Sequence, residues 1–320
     1  MTAPGHDRPW QEWRAATAGP RMHHGWILAG KRGLGKIDFA LAAARELVGS
    51  DGVSRSMADH PDIIVLTHPP KDDKEARKRE EGKPYETKRN IPIDLVRAMQ
   101  QRLTTRPTLG SRRAVIVDPA DDLEKSASNA LLKSLEEPPE GTYFLLVTHR
   151  PARLLPTIRS RCRMLRFPAL PDDEIAGLLA REAPEADSAT RLAAIAAAGG
   201  SPGQALEFVE HDLGALDGLM RSIVQEGDPQ FELRGKLATA IGARPSRERI
   251  RAAFDLARAV LASEVESAPR SRIPAITEAY SQLVTLGGQA PTYNFDPGLL
   301  AMEIGTLLAA AAPASERADA

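Results

Sequence analysis

Uninterrupted apolar runs and stripes at helical spacing alternate through the first half of the chain. Gly25-Trp26-Ile27-Leu28-Ala29, together with 63–67, 114–118, 142–148 and 162–167, are short and apolar. Each is bounded by Gly, Pro or charged residues, the pattern of strands buried on both faces. Between them, apolar residues recur three or four apart. One such stretch is Ala/Leu-rich, spans 37–48 and closes at Gly49. A second, 93–103, carries Ile93, Leu95, Val96, Met99 and Leu103. A third, 121–137, carries Leu123, Ala127, Ala130, Leu131 and Leu135 and is stopped by Pro138-Pro139. These spacings predict helices with one inward face, and a further short helix is expected at 154–158 beyond Pro151. Strands alternating with helices imply a parallel sheet of about five strands covered on both faces. The stretch 71–89 breaks the pattern, with charges of both signs and almost no apolar residue. It reads as an exposed, mobile loop, with DNA contact through Lys88 and Arg89 as the alternative.

From residue 171 onward the pattern is helical throughout. Helices are expected from 171, with an acidic first turn (Asp172, Asp173, Glu174), over 187–198 and from Pro202 to about residue 210. Five more follow at about 214–226, 229–241, 247–266, 271–287 and 296–311. No constellation of chemistry-bearing residues appears in this half.

Composition narrows the classes. The 320 residues are 42% hydrophobic, 27% charged and 4% aromatic, with a net charge of −1 at pH 7. That is a globular profile. It is not the basic balance of a protein that coats nucleic acid unaided. Cys162 is the single cysteine, which leaves neither an internal disulfide nor a cysteine-rich zinc site. Residues 1–20 contain Trp10 and Trp13 but no apolar core of a signal peptide. No apolar run approaches the roughly 20 residues that span a bilayer. The cytoplasm is the expected compartment.

The candidate chemistry sits between the first strand and the first helix. Gly30-Lys31-Arg32-Gly33-Leu34-Gly35-Lys36 follows the strand and opens the helix, which is the context of a phosphate-binding loop. Glycines let backbone amides curl around phosphate oxygens, and the helix N-terminus adds positive charge. Lys36 stands where such a loop's lysine reaches the outer phosphates. Ile37 stands where a Ser or Thr hydroxyl would bind magnesium. Ala114-Val115-Ile116-Val117-Asp118 has the form of a strand delivering a metal-binding carboxylate to the phosphates, but Pro119 follows it. The bland readings are a glycine-rich turn without ligand and, for Asp118, a polar strand end.

Three segments together carry a resemblance. They are Trp26 to Lys36, Asn129-Ala130-Leu131-Leu132-Lys133-Ser134-Leu135-Glu136-Glu137-Pro138-Pro139, and Leu154-Leu155-Pro156-Thr157-Ile158-Arg159-Ser160-Arg161-Cys162. They resemble the bacterial clamp-loader branch of the AAA+ proteins, closely from about residue 22 to 167 and mainly in architecture thereafter. The resemblance implies an α/β AAA+ P-loop domain over 1–168. It also implies a three-helix lid over 169–211, an all-α collar for oligomerisation over 212–312 and a loose tail over 313–320.

Within that branch, motor subunits hydrolyse ATP and others do not. The Ser-Arg-Cys motif supplies an arginine finger to the neighbour's ATP. That role falls on Arg161, flanked by Ser160 and Cys162. Thr148 takes the sensor-1 position, with a structural hydrogen bond as its expected job. Gln204, in Gly200-Ser201-Pro202-Gly203-Gln204, stands where motors carry a sensor-2 arginine. The glutamate that polarises water in the motors is replaced by Pro119. With Gly30, Gly33, Gly35, Lys36, Ile37 and Asp118, these residues outline a degenerate nucleotide site.

The implied protein is a non-hydrolysing subunit of the DNA polymerase III holoenzyme. Its implied partners are the gamma/tau motor subunits and the clamp-opening delta subunit in a ring, and indirectly the sliding clamp and primed DNA. No cofactor is expected. Many relatives carry a four-cysteine zinc module after the P-loop helix, but residues 49–60 contain no cysteine, so no zinc is expected. Two other readings stand beside this one. One is an active motor, which requires Ile37 and Pro119 to be tolerated. The other is a small-molecule P-loop kinase, which makes the Ser-Arg-Cys segment a coincidence.

Overall fold

The computed structural model describes residues 6–19, 21–49, 60–290 and 295–313. Most of 49–60, the place of the zinc module in many relatives, and the tail 314–320 lie outside the described residues. The chain divides into two compact units, Met1–Ala169 and Leu170–Ala320.

The first unit is built on five parallel strands: β1 Gly25–Ala29, β2 Ile63–Leu66, β3 Arg113–Val117, β4 Thr142–Thr148 and β5 Arg163–Arg166. They lie in the order β2-β3-β4-β1-β5. Gly25 registers with Phe144, and Trp26 with both Leu145 and Arg163. Side chains alternate across the strands, so the sheet has two apolar faces. Trp26, Leu28, Ile116 and Leu145 pack with helices α1 (Asp7–Thr17) and α2 (Lys36–Val48). Ile27, Val115, Phe144 and Leu146 pack on the opposite face. The cover there comes from α4 (Ile93–Leu103), α5 (Lys125–Glu136) and α6 (Pro156–Arg159).

The loop reading of 71–89 is corrected. Asp73–Glu80 forms helix α3. Asp72 caps it by accepting the Glu75 amide, and the Glu75 carboxylate accepts both Lys78 Nζ and the Glu86 amide at 2.7 Å. An antiparallel bridge between Pro70 and Thr87 closes the base. Polar closure replaces the missing apolar core.

Two helix boundaries also move. The helix expected from residue 121 begins at Lys125. Leu123 and Glu124 are extended instead, and Leu123 bridges to Ile91. The helix expected over 154–158 splits into a 3-10 turn, Pro151–Arg153, and α6.

Helix α1 had no counterpart in the sequence reading. It buries Trp10 and Trp13, with Trp13 at 5.3 Å from Trp26 and Trp10 at 4.3 Å from Phe39 between ring centroids. Arg113 opens β3 buried, and its guanidinium donates to the carbonyls of Arg102 in the last turn of α4 and of Thr105 and Arg106 just after it. It lies beside Asp62, which accepts the Thr108 and Leu109 amides.

The second unit is helical: α7 Asp172–Glu182, α8 Ser188–Ala198, α9 Pro202–Glu210, α10 Gly214–Glu226, α11 Glu232–Ile241, α12 Arg247–Ser267, α13 Ile273–Gln289 and α14 Pro297–Ala310. One apolar cluster runs through it, from Ile175 and Leu179 through Phe208, Met220 and Leu261 to Ile304 and Leu308. No helix among the described residues is long and apolar enough to cross a membrane.

Candidate functional site

The phosphate-loop residues come together at the C-terminal end of β1. Gly33 and Gly35 hold φ of 79° and 67°, a region other side chains rarely enter. Gly30 is forced for a different reason, since a Cβ there would stand 2.6 Å from the Phe167 carbonyl oxygen. Leu34, between the two left-handed glycines, is buried, and His6 bonds its carbonyl through Nε2 at 2.6 Å. Helix α1 is thereby tied to the loop. Burial pushes the His6 imidazole below its ordinary pKa.

Lys36 turns back on its own loop. Its Nζ donates to the carbonyls of Gly30 at 2.8 Å and Lys31 at 2.5 Å, and the side chain is buried. Burial pushes the ammonium down to about 8, against the pull of Asp118 and Asp121. Ile37 brings no oxygen to this place. Asp118, just past β3, is pushed up to about 6 by burial despite Lys36. These shifts have one cause: charges are held where water is scarce and compensation is incomplete. Among the described residues, no group of three His, Cys, Asp or Glu side chains is placed to hold a metal ion.

Thr148 ends β4, and its hydroxyl donates to the Asp121 carboxylate. The second oxygen of Asp121 accepts the amides of His149 at 2.8 Å and Arg150 at 3.0 Å. Asp121 therefore anchors the exit of β4. His149 is pushed down to about 4, by burial first and by Lys36 second. Asp122 faces His68 at 3.2 Å and Arg150 at 3.9 Å. Asp121 carries no signal in the sequence, because it occupies no motif position. Gln204 lies in the second unit, in the first turn of α9, where Ser201 Oγ accepts its amide.

Arg161 is separate from the loop residues. It follows α6 on a turn closed by its own amide to the Ile158 carbonyl. Its guanidinium donates to the Thr157 carbonyl at 3.0 Å and Ser160 Oγ at 3.3 Å, and pairs with Glu136 at 2.8 Å. The side chain stays 37% exposed. Cys162 next to it is half-buried, and burial pushes its thiol up to about 12. It is a packing residue: a Cβ on Gly25 would meet its Sγ at 2.9 Å.

A parallel 2-3-4-1-5 sheet with a glycine loop between β1 and α2 defines the AAA+ class of P-loop domain. Within that class, a profile described as "DNA polymerase III, delta subunit" matches residues 5–171, just over half of the chain, and the chain belongs to that family. It is similar to proteins named "DNA polymerase III subunit delta'". The Pseudomonas aeruginosa relative is 32% identical over 208 residues, covering 61% of this chain and 58% of the relative. The Escherichia coli relative is 34% identical over 196 residues, covering 60% and 56%. The chain thus spans a little over half the length of these relatives. A Mycobacterium bovis protein named "DNA polymerase III subunit gamma/tau" is 32% identical over 202 residues, covering 62% of this chain and 34% of that one.

Proposed function

We propose that this chain is a non-hydrolysing subunit of the DNA polymerase III clamp loader that supplies Arg161 to the ATP of an adjacent motor subunit. The observation that carries this reading is the conformation of Lys36. The ammonium that should meet the outer phosphates is buried on the carbonyls of its own loop. Ile37 and Pro119 beside it offer neither the metal-binding hydroxyl nor the water-polarising carboxylate. Arg161, in contrast, is exposed on the turn after α6, and its planar fork suits bidentate pairing with a phosphate.

In this reading the partners are gamma/tau motor subunits and a delta subunit in a ring, acting on the sliding clamp at primed DNA. Residues 169–211 act as the lid and 212–312 as the collar. An added cation at a γ-phosphate stabilises the transferring phosphoryl group, an effect worth roughly 10³–10⁵ in rate.

The test is ATP turnover by the reconstituted loader with clamp and primed DNA. Arg161→Ala, after a check that it assembles, is expected to lower turnover to the level set by losing one motor site. Unchanged turnover in assembled complexes would remove the finger and leave a scaffold. The similarity to gamma/tau proteins favours a second reading, an active motor. Mg-ATP turnover by the isolated chain is its signature, and none is expected.

A further inference from the structure

Five of the six arginines between residues 150 and 166 carry no carboxylate at hydrogen-bonding distance among the described residues; Arg150 comes nearest, 3.9 Å from Asp122. Arg161 is the sixth, held by Glu136 at 2.8 Å. Both backbones that bring the pair together are fixed. Glu136 is the last residue of α5, stopped by Pro138-Pro139. There Leu135 is buried, and its carbonyl is bonded by His24 Nε2 at 2.9 Å. Arg161 follows α6, whose Ile158 is buried. Only the two long side chains have latitude, and both are well exposed, 37% and 45%.

We infer that Glu136 is a positioning residue that latches Arg161 onto its own chain until a phosphate of the adjoining subunit displaces it. This inference rests on the arginine-finger reading above. The guanidinium cannot give the same Nη2 donors to Glu136 and fully to a phosphate. A buried pair would be hard to break, because one charge would be stranded. An exposed pair is weak and screened. A γ-phosphate offers more charge and a matching fork of acceptors, so it wins the exchange. The latch keeps the arginine ordered and neutralised in the unassembled chain, and its release sets the ease with which the finger engages.

The test uses the reconstituted loader with Glu136→Gln, Arg161→Ala and the double variant. Removing an exposed pair of this class is expected to raise turnover at limiting ATP by about two- to fivefold. In the Arg161→Ala background Glu136→Gln is expected to change nothing. Nitrogen-15 relaxation of the Arg161 guanidinium in the isolated chain gives a readout independent of activity, and Glu136→Gln is expected to make it more mobile. If Glu136→Gln leaves turnover unchanged or lowers it while Arg161→Ala lowers it, the finger stands and the latch is wrong. If Arg161→Ala has no effect in assembled complexes, the finger reading fails and the latch falls with it.

Discussion

Burial pushes the Asp118 carboxyl up to about 6, although Lys36 draws it the other way. In the unfolded chain the same group titrates near 3.9. Between about pH 4 and pH 6 the native state therefore binds more protons than the unfolded state, and stability falls as pH rises through that window. At neutral pH the ionised carboxylate weighs against the fold. Asp118→Asn is expected to raise unfolding free energy by about 1–2 kcal/mol at pH 7, with the gain gone below about pH 4. Urea denaturation at both pH values measures it, and an equal gain at both would assign the effect to packing rather than charge. Because the proposal assigns no magnesium to this chain, the same variant is expected to leave loader turnover unchanged. The residues of this site were legible in the sequence because a phosphate loop is a local pattern: Gly30, Gly33, Gly35, Lys36 and Ile37 are contiguous or nearly so. What Lys36 bonds was not legible. Nor were Asp121 and Glu136, whose partners lie 25 to 29 residues away in the chain and are brought near by the fold.

At the scale of elements, the informative failure is α3. Its residues have too little apolar surface to form a core, which by itself predicts a mobile loop. The chain instead closes the segment with a cap, a buried carboxylate and a two-residue bridge. Hydrogen bonds to a charged acceptor are worth more than neutral ones. The Glu75 carboxylate is held below its usual range, by Lys78 first and the Glu86 amide second. Glu75→Ala is expected to open 71–89 while leaving the sheet intact. Amide exchange in α3 and tryptic cutting at its lysines and arginines should rise at least tenfold, with the global melting temperature nearly constant. Protection equal to wild type would mean that Glu75 is not what closes the segment. Strand identity, in contrast, was legible throughout, because strands buried on both faces leave unbroken apolar runs. Helix α1 was missed because its two tryptophans and charged residues make a stripe too short to stand out from a tail.

At the scale of the molecule, each unit carries its own apolar core, and the helical unit is bound internally by arginines that serve backbone carbonyls. Arg272 is the clearest. It donates to the carbonyls of Val224 in α10 and Ala311 after α14, and it pairs with Glu264 of α12 at 3.0 Å. Arg272 and Glu264 are each about one-tenth exposed, so water does little to replace the lost contacts. Arg234 plays the same part at the start of α11, clasping Asp228 and reaching Thr306 of α14. Side chains of this kind are invisible in a hydrophobic pattern, which assigns arginine to solvent. That is why the helices of this half could be placed from sequence but their mutual arrangement could not. Arg272→Met keeps the bulk of the side chain, strands Glu264 and leaves two carbonyls without their donor. Breaking a buried pair in this way costs about 3–5 kcal/mol, and partial exposure places the expected loss at about 3 kcal/mol. Hydrogen exchange resolved by segment is the measurement. Protection should fall in α10, α12 and α14 by about two orders of magnitude, while β1, β3 and β4 hold their wild-type rates. A uniform fall across both units would show that the two cores melt as one, and an unchanged α10 would show that Arg272 is not the fastening.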